Sequence, residues 1–301
     1  MKNALIYYYN LNPVNIHKKE NMYKFIYDNN YYTLFDITDN LKNLMEIYNL
    51  SIELNKRGIY THQIILNNQN KIETYINDKM YVLLKSYGEM EEIIKIEDII
   101  SFSKITSNLD LNVNIKRDNW YQLWSKKMDY FEYQISQISK KYPILSESFS
   151  YFEGMVETGI SLLINENLED KTLSVAHNRI KKKDTLFDFY NPFNFIIDST
   201  IRDIVEYIKE CIKYEGPYYV VEDCLNNIKL RDEDYKLFFI RLLYPSFYFD
   251  MYEEIIENKI DEEEIKKIIE RISIYEKIIK KVYEHIKRVS SIGEIEWIKK
   301  M

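Results

Sequence analysis

Glycine and proline are scarce in this chain, at six and five in 301 residues, which excludes long flexible linkers. Position matters more than number. No glycine lies between Met1 and Arg57, so a glycine-rich loop of the kind that cradles nucleotide phosphates is missing from that part of the chain. The two cysteines, Cys211 and Cys224, lack metal-ligand spacing and are too few for a disulfide framework, which points to synthesis in a reducing cytoplasm. No apolar run reaches the ~20 residues a bilayer requires. Residues 237–249 come nearest and are interrupted by Arg241, so no membrane span is expected. The apolar patch at 4–9 after Lys2 is too short for a signal-peptide core and lacks a small-residue cleavage site. The net charge is -7 and no block is basic enough to follow a phosphate backbone, so a nucleic-acid partner is not expected.

What is present describes a folded protein of one large domain or two lobes, with 46% hydrophobic and 30% charged residues. Tyrosine is abundant at 28, which fits AT-rich codon usage better than a special tyrosine chemistry. Residues 1–88 read as a small α+β lobe. Alternating segments at 23–27 and 31–37 flank Asp28-Asn29-Asn30 as a hairpin. A helix from 41 to 57, capped by Thr38 or Asp39, follows, then strands at 62–66, 72–76 and 80–87. Residues 89–301 read as a mostly helical lobe. Its predicted helices cover 120–141, ended by Pro143, and then 149–163, 199–213, 218–227, 232–244 and 247–258. A last helix starts at Asp261, and its stripe of Ile265, Ile268, Ile272, Tyr275, Ile279, Val282 and Ile286 reads as packing against that lobe rather than as a coiled coil.

Residues 173–204 carry the chemistry that can be read. An apolar approach leads to His177, a polar loop follows, and an apolar strand then ends in Asp198 ahead of Arg202-Asp203. Phosphoryl transfer requires a carboxylate for the acceptor hydroxyl, oxygen ligands for magnesium, and a Lys–Glu pair that places the phosphates. This stretch resembles a kinase catalytic segment, and by that resemblance Arg179 stands where the acceptor carboxylate belongs; a guanidinium neither takes a proton nor tolerates magnesium. Asp184 remains available as a metal ligand. The second metal position falls on Asp198 by hydrophobic pattern and on Asn194 by distance to Arg202-Asp203, so both stand as candidates. Phe35 falls near the place of the phosphate-pairing lysine, which leaves Glu46 on the next helix without a partner. His177 reads as a loop brace and Asp203 as a structural acid at a helix start. Residues 179–183 read as a solvated charge run, with a grip on a phosphate or an acidic partner as the alternative. The aromatic group Trp120, Tyr121, Trp124, Tyr130 and Phe131 reads as core or lobe-junction packing.

This outline resembles the aminoglycoside-phosphotransferase-like kinases, whose loop reads His-Gly-Asp with Asn five residues on; here it is His177-Asn178-Arg179 with Asp184. Within that superfamily the chain resembles the spore-coat-associated CotS and YutH group of endospore-forming Firmicutes. Three blocks carry the likeness: residues 50–65 with the strand Tyr81-Val82-Leu83-Leu84, residues 119–143, and residues 192–207, PFNFIIDSTIRDIVEY. The resemblance implies a two-lobed protein-kinase-like fold, a strand-rich N-lobe and a larger helical C-lobe. It also implies association with the spore coat and partners among coat proteins. It implies no defined activity. With base, lysine and glycine loop all lost, the residues favour a catalytically inactive, kinase-like coat component without a cofactor. The alternative is a phosphotransferase, or a nucleotide-binding regulator, that holds magnesium with Asp184 and Asp198. An ion pair from Arg179 to either aspartate would plug that metal site.

Overall fold

The computed structural model describes residues 1–300 apart from 20–21, 39–42, 108, 110–114, 118, 167, 169 and 215–217. Helix α1 (Lys2–Tyr9) precedes an antiparallel sheet of β1 (His17–Lys19), β2 (Met22–Tyr27), β3 (Asn30–Asp36), β4 (Gln63–Ile65), β5 (Glu73–Ile76) and β6 (Lys79–Ser86), with α2 (Leu44–Lys56) between β3 and β4. The spatial order is β1-β2-β3-β6-β4, and β5 pairs with β6 beyond β4. Two turns set the registers. Asp28 and Asn29, and likewise Asn77 and Asp78, take positive φ between their strands, a conformation that Asn and Asp tolerate and that suits two-residue hairpins. Of the two predicted caps for α2, Thr38 hydrogen-bonds Asp36 and Asp39 lies outside the described residues; the N-cap is Asn43.

Alternation gives the sheet two buried faces. Phe25, Leu34, Tyr81 and Leu83 pack with Leu5 and Tyr9 of α1, so the short N-terminal patch is a helix covering the outer face. Val82 and Leu84 point to the inner face, where they meet Ile47 of α2 together with Phe187 and Phe193 from far along the chain. Leu50 and Leu54, on the next turns of α2, join the main core of the helical region instead. One helix therefore ties both cores together.

The remainder is mostly helical: α3 (Ile96–Thr106), α4 (Trp120–Ile138), α5 (Pro143–Asn165), α6 (Leu186–Phe189), α7 (Arg202–Tyr214), α8 (Tyr218–Asn227), α9 (Asp232–Leu243), α10 (Ser246–Ile256), α11 (Lys266–Ile269), α12 (Ile272–Val289) and α13 (Glu296–Lys299). A two-stranded ribbon, β7 (Leu173–His177) against β8 (Phe195–Ser199), is set among them. Pro143 opens α5 at its first turn, where a missing N–H costs nothing, and α4 has already ended at Ile138. The predicted last helix is three pieces. Asp261 caps a 3₁₀ turn over Glu262–Ile265 by accepting the Glu263 N–H at 2.9 Å, and α11 and α12 follow. Its stripe is core: Ile265, Ile268, Tyr275, Ile279, Val282 and Ile286 are all buried in the main cluster.

Candidate functional site

The ribbon positions the site. β7 brings His177 to its C-terminal end opposite Phe195, and β8 carries Asp198 opposite Ser174. Three residues later α7 begins and presents Arg202 and Asp203. Asp203 is buried and accepts the backbone N–H of His177 at 3.0 and 3.1 Å and its Nδ1 at 2.6 Å. The other ring nitrogen, Nε2, faces the Phe189 carbonyl at 2.7 Å, and the ring stacks on Phe189. Both nitrogens meet acceptor oxygens, which makes this ring a brace for the loop rather than a proton acceptor for a substrate.

Asp198 is 1% exposed and its two oxygens are heavily engaged. Arg241 Nη2 donates to both, at 2.9 and 2.8 Å, and Arg202 Nη1 donates to Oδ2 at 3.1 Å. Oδ1 also accepts the Trp120 indole N–H at 3.1 Å and the Ser199 N–H at 2.7 Å. The Trp120 ring lies over both guanidiniums, 4.2 Å from Arg241 and 4.9 Å from Arg202. Arg202 continues the clamp by donating to the carbonyls of His177 and Asn178 at 3.0 and 2.9 Å. Behind it, the buried ammonium of Lys209 holds Glu206 at 2.8 Å and the carbonyls of Arg241 and Tyr244, fixing the end of α9. Burial pushes the Glu206 carboxyl up, but Lys209 and the two arginines more than offset this and hold it at about 2.

The other predicted positions are spread out. Arg179 pairs with Asp250 of α10 and meets neither Asp184 nor Asp198; the cations on Asp198 are Arg202 and Arg241. Asp184 Oδ2 accepts the Lys181 N–H at 2.7 Å, and its backbone bridges to Ile94. Asn194 donates from Nδ2 to the Asp188 carbonyl and accepts the Asn178 N–H through its own carbonyl. Glu46 has a buried Oε2 without a hydrogen-bond partner among the described residues, and Phe35 packs partly buried against the inner-face cluster. Among the described residues no group of three or more His, Cys, Asp or Glu side chains is arranged to hold a metal.

Sequence reasoning passed over Phe187 and Phe193, which enter the inner face of the sheet from the segment between His177 and β8. Phe187 is 4% exposed; its carbonyl faces His62 Nε2 at 2.9 Å, and the two rings lie 4.6 Å apart. Burial pushes the His62 imidazole down to about 4. Lys24 of β2 sits over the Phe187 ring at 5.2 Å and reaches Glu91 at 3.7 Å. Arg241 was legible only as a lone charge within an apolar run, which is itself the mark of a buried, paired guanidinium. Of the predicted aromatic group, Trp124 and Phe131 are core and Trp120 is the lid on the arginines, whereas Tyr121 and Tyr130 are exposed.

A cavity of about 730 Å³ opens on the helical side of this cluster, between α4, the 178–181 loop, α7 and α10. Trp120, Trp124, Tyr244 and Phe249 contribute aromatic wall, and seven lysines and arginines face three carboxylates, Glu206, Glu210 and Asp250.

A small antiparallel lobe with a helix across its inner face, followed by a helical lobe carrying a buried ribbon, is a protein-kinase-like fold of the aminoglycoside phosphotransferase type. An aminoglycoside phosphotransferase from Alicyclobacillus acidocaldarius shares it with a TM-score of 0.72 over 96% of both chains, at 8% identity. Spectinomycin phosphotransferase follows with a TM-score of 0.56 over 94% of this chain and 97% of that one, at 10% identity. The chain belongs to the family described as "Spore coat putative kinase YutH", whose model matches residues 2–288. The endospore coat-associated protein YutH of Bacillus subtilis (strain 168) is similar, 22% identical over 292 residues and covering 85% of each chain. No helix among the described residues is long and apolar enough to cross a membrane.

Proposed function

We propose that this protein is a catalytically inactive, kinase-like component of the endospore coat, whose cleft serves interaction rather than phosphoryl transfer. The observation that carries this reading is the state of Asp198. A magnesium ligand must offer oxygen lone pairs to the metal, and those of Asp198 are directed at two buried guanidiniums and an indole. A divalent cation entering beside Arg202 and Arg241 would meet two fixed positive charges in a poorly solvated site. These residues do not fit a magnesium–nucleotide group. Supporting it, the family resemblance puts Arg179 at the position of the acceptor base, Asp184 accepts the Lys181 N–H through Oδ2, and Phe187 and Phe193 pack on the inner face of the sheet. Coat partners follow from the family and from the name of the Bacillus subtilis relative.

The test is a melting experiment with ATP, with and without Mg²⁺, alongside a transfer assay with labelled ATP. The proposal expects no magnesium-dependent rise in Tm and no label transferred above the buffer control. A rise that requires Mg²⁺ overturns it, because a ligand that binds the native state must stabilise it.

A further inference from the structure

The cavity beside Asp198 has a charge balance opposite to that of the whole molecule. The chain carries a net charge of -7, yet seven of the side chains lining this cavity are lysine or arginine and only three are acidic. Counting Asp198 beneath Arg241 as a fourth carboxylate still leaves the cations in excess. Several acids are already committed: Asp250 to Arg179, and Glu206 to the buried Lys209. Lys116 and Arg117, exposed at the rim, have no carboxylate within ion-pair distance among the described residues. Arg117 is placed by its backbone, whose N–H donates to the Ile197 carbonyl at 2.9 Å, one residue from Asp198. Below, Arg241 is 1% exposed and its Nε, buried, has no hydrogen-bond partner among the described residues. An unmatched donor on a buried guanidinium is costly unless something accepts from it.

We propose that this cavity is a metal-independent binding site for a small organic anion carrying two or more carboxylate or phosphate groups. The volume of about 730 Å³ lies in the range of small-molecule sites. Arginine forks match the planar oxygen pairs of both anion types, and the aromatic wall of Trp120, Trp124 and Tyr244 covers the body of the ligand. A cationic substrate, by contrast, meets repulsion from the cations that outnumber the carboxylates of the lining. The site goes beyond the loss of transfer chemistry, since it needs neither nucleotide nor magnesium.

The experiment uses the full chain, stripped of metal on a chelating resin and kept free of soluble chelator and nucleotide, titrated at constant ionic strength with pyrophosphate in one arm and citrate or phthalate in the other. Tryptophan fluorescence and Tm are both read. Trp120 and Trp124 are two of the three tryptophans and both line the cavity, so saturable quenching is expected in at least one arm. A rise in Tm of about 5 °C is expected at roughly a hundredfold excess over Kd. The arm that responds identifies phosphate or carboxylate as the recognised group. Lys116→Ala/Arg117→Ala should abolish the response, and Arg117→Gln, which nearly keeps side-chain length, replaces the double variant if that one is unstable. No saturable response in either arm overturns the proposal. So does a response that survives these substitutions. Because Mg²⁺ and ATP are absent, this outcome is separate from that of the transfer assay.

Discussion

The two halves of the cleft differ in kind. Beneath the sheet, Phe187 and Phe193, side chains delivered by the C-lobe itself, pack on the inner face of the N-lobe, and a cavity of about 520 Å³ lined by Lys24, Thr33, Ser86 and Phe187 lies beside them. On the helical side of the ribbon a large, charged cavity stays open. In a working phosphotransferase both halves are needed, because nucleotide and acceptor must meet in line. Here two phenylalanines pack on the inner face of the sheet, while the helical half holds a cavity with excess positive charge. The difference teaches that the two sides of one cleft can be filled by different physics, apolar packing on one and charge on the other. Between the two halves lies Asp198, whose arginine pairs supply a fixed counter-charge for a buried carboxylate.

The boundary between the halves can be broken most forcefully at Asp198. Asp198→Ala leaves Arg202 and Arg241 buried without their shared partner, and loss of one member of such a cluster costs about 3–5 kcal/mol. Urea unfolding should register that loss. A variant as stable as the parent would mean that the cluster is not a structural lock and that Asp198 is free for another ligand.

A smaller effect is expected from the sheet side, through His62. This residue is fully buried and bridges Tyr60 Oη and the Phe187 carbonyl, an arrangement that a neutral imidazole satisfies. Its pKa is lowered to about 4 in the folded chain, from about 6.5 when unfolded. The unfolded chain therefore binds the proton first as pH drops. Stability from this group is fully present above about pH 6.5 and is lost as pH falls through the folded value of about 4. His62→Gln keeps a donor for the Phe187 carbonyl but cannot titrate, so stability between those two values should depend less on pH than in the parent. Parallel pH profiles for the two proteins would remove His62 from the account.

The smallest effect is expected at Arg179, in the open half. Its partner is Asp250, and its side chain is 56% exposed, so Arg179→Ala should cost no more than about 1 kcal/mol. Arg179→Asp restores an acid at the base position and should still give no transfer of label from ATP, since Asp198 stays locked. Transfer in that variant would show that the lock opens and that one substitution had silenced the enzyme.

Much of the fold could be read from local signals. The two Asn/Asp turns, the alternation around them and the stripe from Ile265 to Ile286 each follow from the period of a single element. Where the reading slipped, a local rule had two outcomes. Pro143 stops one helix but equally starts the next, and only packing decided that α5 begins there. Nothing in the spacing of 261–286 announces two interruptions. At the site, the absent glycines and the guanidinium of Arg179 were legible because they are properties of single positions. Arg241 reaching Asp198 across 43 residues, and Phe187 reaching His62 across 125, were not.

The sequence by itself determined that no glycine precedes Gly58 and that an arginine stands at 179, and that the chain's segments alternate first with the period of strands and then of helices. Only the tertiary structure decided which side chains meet: two arginines on Asp198, two phenylalanines under the sheet, and a basic cavity in a chain of net negative charge. The physical reason is that propensity and periodicity act over a few residues. Pairing a buried charge, or filling an apolar face, is solved by whichever side chain the fold brings near, however distant it is along the chain.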